Sequence, residues 1–382
     1  MTASLQASKK DGKYYIHLNW IQDGKRKQKC IGTGLYVKDD NKRKAERMRL
    51  EVLAEWEQKI VENTTEILFS AFLLQWLEAT KHTRAETTTA DYKIVLERVV
   101  CPYFADRKVK LIDLTAKDLN DFYNFRIEHD GVGNNTIRRH GAIIHKALDY
   151  AVRNRQRRDN PADEVELPLY QTHTAKFLTA GELNKLIEAA EGTKVEVIVK
   201  LAAWFGMRRG EIIGLRWKNV NFENATLYVM ESAAKTDRML FKEPKTKTSF
   251  RMFPLTPEML GYFKRLREKQ EADRKRMGKK YCLQWLGRVC VDDSGNLIQL
   301  DYASRSIPKL CEKCGIEKVC LHELRHTNIS LLLEQGISMK EMQEWAGHSS
   351  YSTTANIYAH VQAGRKMRLA QTIQTALENG EC

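Results

Sequence analysis

The chain has 382 residues, more than one hydrophobic core usually organises, so two or three domains are expected and a single small module is excluded. Hydrophobic residues make up 42% and charged residues 29%, a mixture that buries a core and does not resemble a disordered chain. Lys and Arg number 63 against 49 Asp and Glu, a net charge of +14, which suits a polyanionic partner and makes nucleic acid the first suspect. No stretch approaches the roughly 18 to 20 consecutive apolar residues of a membrane span, and MTASLQASKKDGKYY carries no apolar signal core. A soluble, cytoplasmic protein with no membrane partner is expected. Eight cysteines, sparse and irregularly spaced, point to reduced thiols rather than a disulfide framework.

Residues 13–21, KYYIHLNWI, alternate with Tyr14, Ile16, Leu18 and Trp20 on one face and Tyr15, His17 and Asn19 on the other, the period of a half-buried strand. Asp23-Gly24 is a hairpin signal, and the basic run KRKQK lies on the returning strand. A helix from about Asn41 to Glu62 closes a unit over residues 1–62, expected as a three-stranded sheet plus a helix. Residues 1–60 hold fourteen Lys and Arg against eight Asp and Glu. Lys25, Arg26, Lys27 and Lys29 are expected on one sheet face that enters a DNA major groove; a solvated, charged hairpin is the alternative.

From Ile67 to about Asn160 the pattern turns helical. FSAFLLQWLEAT and TTADYKIVLERVVCPYF come first, and a capping-box start at Thr115 with Asp118 opens LNDFYNFRIEH. The longest helix runs from Asn135 to about Arg155, with Ile137, Ile143, Ile144, Ala147, Leu148 and Ala151 at helical spacing, and Asn160-Pro161 ends the block. Residues 63–167 read as a four-helix bundle, with RNRQRR and IRRH as candidate phosphate contacts. PLYQTHTAKF reads as a linker. Thr179 with Glu182 then starts a third region, 174–382, with helices at 180–190, 194–205 and 209–216, a β-rich stretch near 225–255 and helices to the end. The fold class expected is multidomain, mainly α with small β-sheets.

The sequence contains no GxxxxGK[ST] phosphate loop or GxSxG turn, and no obvious cluster of Asp and Glu for paired metal ions, which disfavours an NTPase or a two-metal nuclease. Cys311, Cys314, Cys320 and His322 in CEKCGIEKVCLH could be read as a zinc knuckle, but the second pair is compressed and no metal is expected. What remains is cationic and aromatic: Trp204-Phe-Gly-Met-Arg208-Arg-Gly-Glu211, Pro244-Lys245-Thr-Lys247-Thr-Ser, His322-Glu-Leu-Arg325-His, Ala346-Gly-His348 and Tyr358-Ala-His360.

Taken jointly and in this order, these segments resemble the tyrosine recombinase family, the integrases of phages and conjugative transposons. HELRHTNISLLLEQGISMKEMQEWAGHSSYSTTANIYAHV is similar to the family's second box and FGMRRGEIIGLRW to its first, and the resemblance spans the whole chain. It implies an arm-type DNA-binding domain, a helical core-binding domain and a mixed α/β catalytic domain. It also implies Arg208 and Arg325 as phosphate-binding arginines, Lys245 as the β-hairpin lysine with Lys247 as competitor, and His322 and His348 as active-site histidines. Tyr358 matches the nucleophile, and Glu211 the acidic position beside the first arginine. Phe205 departs from a common Thr, and Trp345-Ala346 from a usual Leu or Met before Gly-His. Tyr358 follows His348 by ten residues, one longer than in the shorter bacterial recombinases. None of these departures removes a catalytic group.

The residue types suit the chemistry. A scissile phosphodiester gains charge on its non-bridging oxygens in the transition state, which two guanidinium forks stabilise. A tyrosine with an ordinary pKa near 10 needs a cationic pocket and a histidine to take its proton, and the departing 5′ oxygen needs an acid such as Lys245. Attack would leave a 3′-phosphotyrosine that conserves the bond energy, so neither ATP, metal nor cofactor is expected. The resemblance implies an integrase acting on double-stranded attachment sites as a homotetramer, with an excisionase or a DNA-bending protein as accessory partners. The tail after Val361, with Met367, Leu369, Ile373 and Leu377 at roughly helical spacing, is expected as a helix packed on a neighbour or in cis. A type IB topoisomerase and a DNA-binding regulator with a dead site are the rivals; the basic hairpin argues against the first and the intact set against the second.

Overall fold

A computed structural model describes residues 2–8, 10–22, 25–38, 41–65, 67–172, 175–243, 250–347, 372–375 and 377–378. Lys245, Lys247, His348, Tyr358, Met367 and Leu369 lie outside the described residues. The chain divides into two compact units, Met1–Thr172 and His173–Cys382. Among the described residues no helix is long and apolar enough to cross a membrane.

The first unit opens with strands β1 (Thr2–Ala7), β2 (Lys13–Gln22) and β3 (Lys25–Tyr36), antiparallel in that order, followed by helix α1 (Asn41–Thr65). Tyr14, Ile16 and Leu18 are buried, as the alternation requires. Strand β1, TASLQA, carries one large apolar residue and therefore no alternation to read; its pairing with β2 makes it a strand. The register corrects one expectation. Lys27 pairs with Trp20 and Lys29 with Leu18, whereas Gln28 pairs with Asn19 and Cys30 with His17. Because side chains alternate along a strand, Lys27 and Lys29 share the face of Leu18 and Trp20, and Arg26 and Gln28 occupy the opposite one. The four basic residues of KRKQK cannot lie on one face. The Lys29 ammonium sits 4.7 Å from the centre of the Trp56 ring of α1, and Trp56 packs 5.5 Å from Trp20.

Next come α2 (Phe69–Ala79), α3 (Glu86–Val95), α4 (Cys101–Asp106), α5 (Ala116–Glu128) and α6 (Asn134–Arg153). A π turn at Leu96–Val100 joins α3 to α4, so the bundle consists of four helical runs. Pro102 explains the π turn: it has no N–H and its ring crowds the carbonyl one turn back, so the helix widens just before it. Phe69, Phe72, Leu96, Phe104, Phe122, Ile144 and Leu148 form the core. The capping box at α5 forms, with the Asp118 amide donating to Thr115 Oγ1 at 3.2 Å and the Thr115 amide to Asp118 Oδ2 at 2.8 Å. The start of the expected linker is tied down: Arg138 donates to the Pro168 carbonyl at 3.0 Å, and Asn135 bonds Gln171 in both directions at 2.6 and 3.0 Å.

The second unit contains α7 (Ala180–Ala190), α8 (Glu196–Phe205), α9 (Arg209–Gly214), β4 (Val220–Asn221), β5 (Thr226–Val229), β6 (Ser232–Lys235), β7 (Met239–Lys242), β8 (Arg251–Pro254), α10 (Pro257–Met277), α11 (Leu300–Lys313), α12 (Leu321–Glu334) and α13 (Met339–Ala346). Strands β4, β5 and β8 form one antiparallel sheet and β6–β7 a separate hairpin. One hydrophobic core, including Leu186, Ile198, Phe205, Ile212, Leu227, Phe253, Ile307 and Leu324, joins helices and sheet. Helix α9 lies directly on β6: a Cβ at Gly214 would come within 2.9 Å of the Glu231 carbonyl, and one at Gly210 would overlap Ser232 and Ala233. Two glycines four apart let the backbones meet, which fixes the hairpin against the helix that begins at the first candidate arginine.

Candidate active site

Arg208 stands at the N-cap of α9 because α8 ends abruptly. Gly206 adopts the left-handed conformation at φ 58°, the usual device for stopping a helix. Asn328 on α12 closes that end, its amide donating to the Ala203 carbonyl at 2.7 Å and the Trp204 carbonyl at 3.2 Å. Glu211, one turn into α9, then fixes Arg208. Its Oε2 accepts the Arg208 amide at 2.8 Å, and its Oε1 accepts Arg208 Nη1 at 2.9 Å. The other Arg208 fork donates to the Gly347 carbonyl at 2.7 Å. The Arg208 side chain keeps 37% of its surface exposed, so it can still meet a ligand.

Arg325 projects from α12 into the same place. Its residue exposure is 0%; Nη1 donates to the Gly206 carbonyl at 2.6 Å and Nη2 to the Ala346 carbonyl. Its Nε has no hydrogen-bond partner among the described residues. Burial, and then the neighbouring Arg208, pull its pKa down to about 9, so it stays charged at neutral pH without a carboxylate of its own. The carbonyls it uses mark the C-terminal ends of α8 and α13, where the helix dipoles are negative.

His322 lies one turn before Arg325, on the exposed side of α12. Desolvation by its packed neighbours and then Arg325 and Arg208 hold its pKa below the ordinary imidazole value, which leaves it neutral and able to accept a proton at pH 7. Its ring meets the His326 ring edge-on at 4.6 Å.

The structure thus brings together Arg208, Glu211, His322 and Arg325, and the last described residues of α13 lead to His348. Lys27 and Lys29 belong to the first unit. Cys311 is buried in the core, Cys314 donates from Sγ to the Leu310 carbonyl at 2.9 Å, and Cys320 is the N-cap of α12, its amide donating to Glu323 at 2.6 Å. Their places are therefore explained by packing and capping.

Sequence reasoning missed Arg251. It lies at an inward-facing position of β8, with a side chain 4% exposed, and its Nη2 donates to Glu211 Oε2 at 2.6 Å while Nη1 donates to the Ala346 carbonyl. The signal was an arginine two residues before Phe253, in the apolar register of a strand. Glu211 consequently serves two guanidiniums. Burial works to raise its pKa, but Arg251, the Arg208 amide and the Arg208 guanidinium outweigh burial and hold the carboxyl below its ordinary value.

The departures at Phe205 and Trp345 prove to be one feature. Phe205 packs 5.0 Å from Phe253 and 6.4 Å from Trp345, and Phe253 packs edge-on against Trp345 at 4.7 Å. Three aromatic rings thus pack together beside Arg251, whose guanidinium lies 5.5 Å from the Phe253 ring.

Comparison with known proteins agrees with this geometry. The Phage integrase family model matches residues 176–365 and the Phage integrase, N-terminal SAM-like domain model matches residues 68–126. A Tyrosine recombinase XerC-like protein of Caldanaerobacter subterraneus subsp. tengcongensis is 26% identical over 282 residues, 69% of this chain and 72% of that one. The ICEBs1 integrase of Bacillus subtilis is 25% identical over 289 residues, 75% of this chain and 77% of that one. In fold, the Tn1549 transposon integrase solved in complex with a circular intermediate DNA matches with a TM-score of 0.61 at 19% identity, over 78% of this chain and 99% of that one. A lambda integrase dimer bound to a COC' core site matches with 0.56 at 17% identity, over 92% and 93%. With both recombinase models matched in order, and relatives of that kind aligned over more than two thirds of the chain, the protein belongs to the phage integrase family and is a site-specific tyrosine recombinase.

Proposed function

We propose that this recombinase cleaves and rejoins duplex DNA at attachment sites through a 3′-phosphotyrosyl intermediate, integrating a mobile element and excising it again. The observation that carries the reading is the convergence of Arg208 and Arg325 on the adjacent Gly347 and Ala346 carbonyls, the former arginine fixed by Glu211. A phosphodiester seated there would exchange the helix-end carbonyls of Ala346 and Gly347 for its two non-bridging oxygens. Tyr358 would attack phosphorus, His322 or His348 would take the phenolic proton, and Lys245 would give a proton to the departing 5′ oxygen. The phosphotyrosine then holds the energy of the broken bond, and attack by a second 5′ hydroxyl reverses each transfer.

Residues 1–62 would bind a separate arm-type site, 63–167 and 174–382 would bind the core site, and four protomers would act together in the cytoplasm. A lambda integrase tetramer has been solved on a Holliday junction, which supports the fourfold reading. An excisionase or a bending protein would set the direction of the reaction.

The experiment is to sequence the DNA that flanks the gene for a direct repeat and to run a covalent-trapping assay on a nicked duplex carrying it. Tyr358→Phe is expected to abolish the protein–DNA adduct and leave binding nearly intact, because only the attacking oxygen is removed. Adduct formation by the Phe variant would remove Tyr358 from the mechanism and direct the search to Tyr351.

A further inference from the structure

We infer that Arg251 is a positioning residue for strand cleavage: through Glu211 it sets Arg208, and through the Ala346–Gly347 turn it sets the start of the segment that carries His348. The inference rests on the recombination chemistry proposed above and assigns this side chain a part in it.

Arg251 occupies a place where an apolar side chain would be expected. Residues 251 and 253 of β8 face inward and 252 and 254 face outward, so position 251 belongs to the core of the sheet. A guanidinium there is costly unless paired and bonded, and a well-packed apolar side chain is often at least as stable. Its Nε has no hydrogen-bond partner among the described residues, so stability alone does not account for it.

What the side chain accomplishes is geometric. One fork holds Glu211 Oε2 at 2.6 Å, leaving Oε1 directed at the Arg208 guanidinium at 2.9 Å. The other fork shares the Ala346 carbonyl with Arg325. Gly347 follows in the left-handed conformation at φ 63°, and any Cβ there would overlap the Arg251 guanidinium. Glycine before His348 is therefore required twice, by its backbone and by Arg251. The arginine thus ties the N-cap of α9 to the C-terminus of α13, two elements 135 residues apart in sequence between Glu211 and Ala346. It also supplies charge. Two guanidiniums bond one carboxylate and Arg325 stands near them, and the surplus favours a phosphodiester whose charge grows in the transition state.

The test compares wild type, Arg251→Met, Arg251→Lys and the double variant Arg251→Met with Glu211→Gln, as full chains, on the nicked duplex carrying the repeat that flanks the gene. Single-turnover cleavage, duplex affinity and thermal unfolding are read for each. Arg251→Met is expected to cleave about 10²-fold more slowly while its affinity changes by no more than about threefold. Without Arg251, burial dominates at Glu211 and raises its pKa, so the cleavage rate should gain a second acid limb, beside the one that histidine protonation gives wild type, and the double variant should lose it again. A side chain that only supported the fold would lower the amount of active protein equally at every pH. Arg251→Lys keeps a charge and one donor in place, so an intermediate rate without the new limb is expected; it also serves as the test should Arg251→Met not fold. A variant that folds and cleaves at the wild-type rate, or is slowed with an unchanged pH profile, overturns the inference. If wild type itself forms no adduct, the cleavage reading falls and this one with it; an active wild type beside an undisturbed Arg251→Met sinks this one alone.

Discussion

Arg26, Lys27 and Lys29 on β3 are all exposed, whereas Arg251 and Arg325 are buried in the second unit. The two groups use the same charge for different ends. On the strand, flexible stems carry solvated charges that attract a polyanion from any direction and are screened by salt. Around Glu211 the charges are held by backbone carbonyls and one carboxylate at fixed distances, which suits recognition of a single phosphate in one orientation. Exposure marks affinity, and burial with fixed partners marks chemistry.

The largest effect that would sharpen this contrast is expected at Arg325. A lysine in its place keeps the charge but cannot reach the Gly206 and Ala346 carbonyls with a planar fork. Arg325→Lys is expected to slow single-turnover cleavage by about 10² to 10³ with little change in duplex affinity. A wild-type rate would mean that charge alone, as on β3, is all the site needs.

A second test breaks the aromatic cluster of Phe205, Phe253 and Trp345. Phe205→Thr restores the residue common in the family, yet it leaves a void against Phe253 and Trp345 and is expected to cost about 3 kcal/mol in denaturant unfolding. Combining it with Trp345→Leu should cost less than the sum of the two single changes, because the rings are in contact. Strict additivity would separate the two departures and show that each is compensated elsewhere.

That pairing also shows where the sequence was legible and where it was not. Helices were readable because their caps and periods are local: Thr115 with Asp118 and Thr179 with Glu182 formed the boxes their spacing promised. Strand β1 was not located, since its six residues hold no alternation and owe their conformation to β2. Arg208, Glu211, His322 and Arg325 could be named because motif order stands in for proximity. Arg251 could not, because its meaning lies in a contact with Glu211 and Ala346 made only after folding. The face of KRKQK was misread for a simpler reason: a run of charges was treated as one surface, although a strand turns every second residue away.

His140 tests the converse, a buried base with no carboxylate beside it. In the helical bundle it is 3% exposed, its Nδ1 has no hydrogen-bond partner among the described residues, and burial, then Arg126 and Arg139, lower its pKa to about 4. The folded state therefore holds it neutral at a pH where the unfolded chain, with a value near 6.5, takes up a proton. Stability from this group is complete above about pH 6.5 and is lost as the pH falls toward 4, by at most about 3 kcal/mol. His140→Leu should flatten that part of the pH–stability curve measured by thermal unfolding. An unchanged slope would place the acid sensitivity elsewhere.

The smallest effect is expected on β3 and decides whether its two faces differ in role. Lys27 and Lys29 leave from the side of Trp20 and Leu18, so their long stems would reach the sheet edge and meet a phosphate backbone rather than base edges. Arg26 and Gln28 leave from the other side, with Asn19 and His17 beside them, a set of donors and acceptors that can read bases. Replacing Lys27 and Lys29 by Ala should weaken full-chain binding to an arm-type duplex nearly equally for matched and scrambled sequences. The slope of log K against log salt should fall in magnitude by about 2, roughly one per phosphate contact. Replacing Arg26 and Gln28 by Ala should instead narrow the difference between matched and scrambled duplexes, by about 1 to 3 kcal/mol for each base-edge bond lost, and Gln28 alone should leave the salt slope unchanged. If the lysine pair controls discrimination and the Arg26 and Gln28 pair does not, the helix-side edge of the sheet reads the sequence and the division of labour between the faces is the reverse.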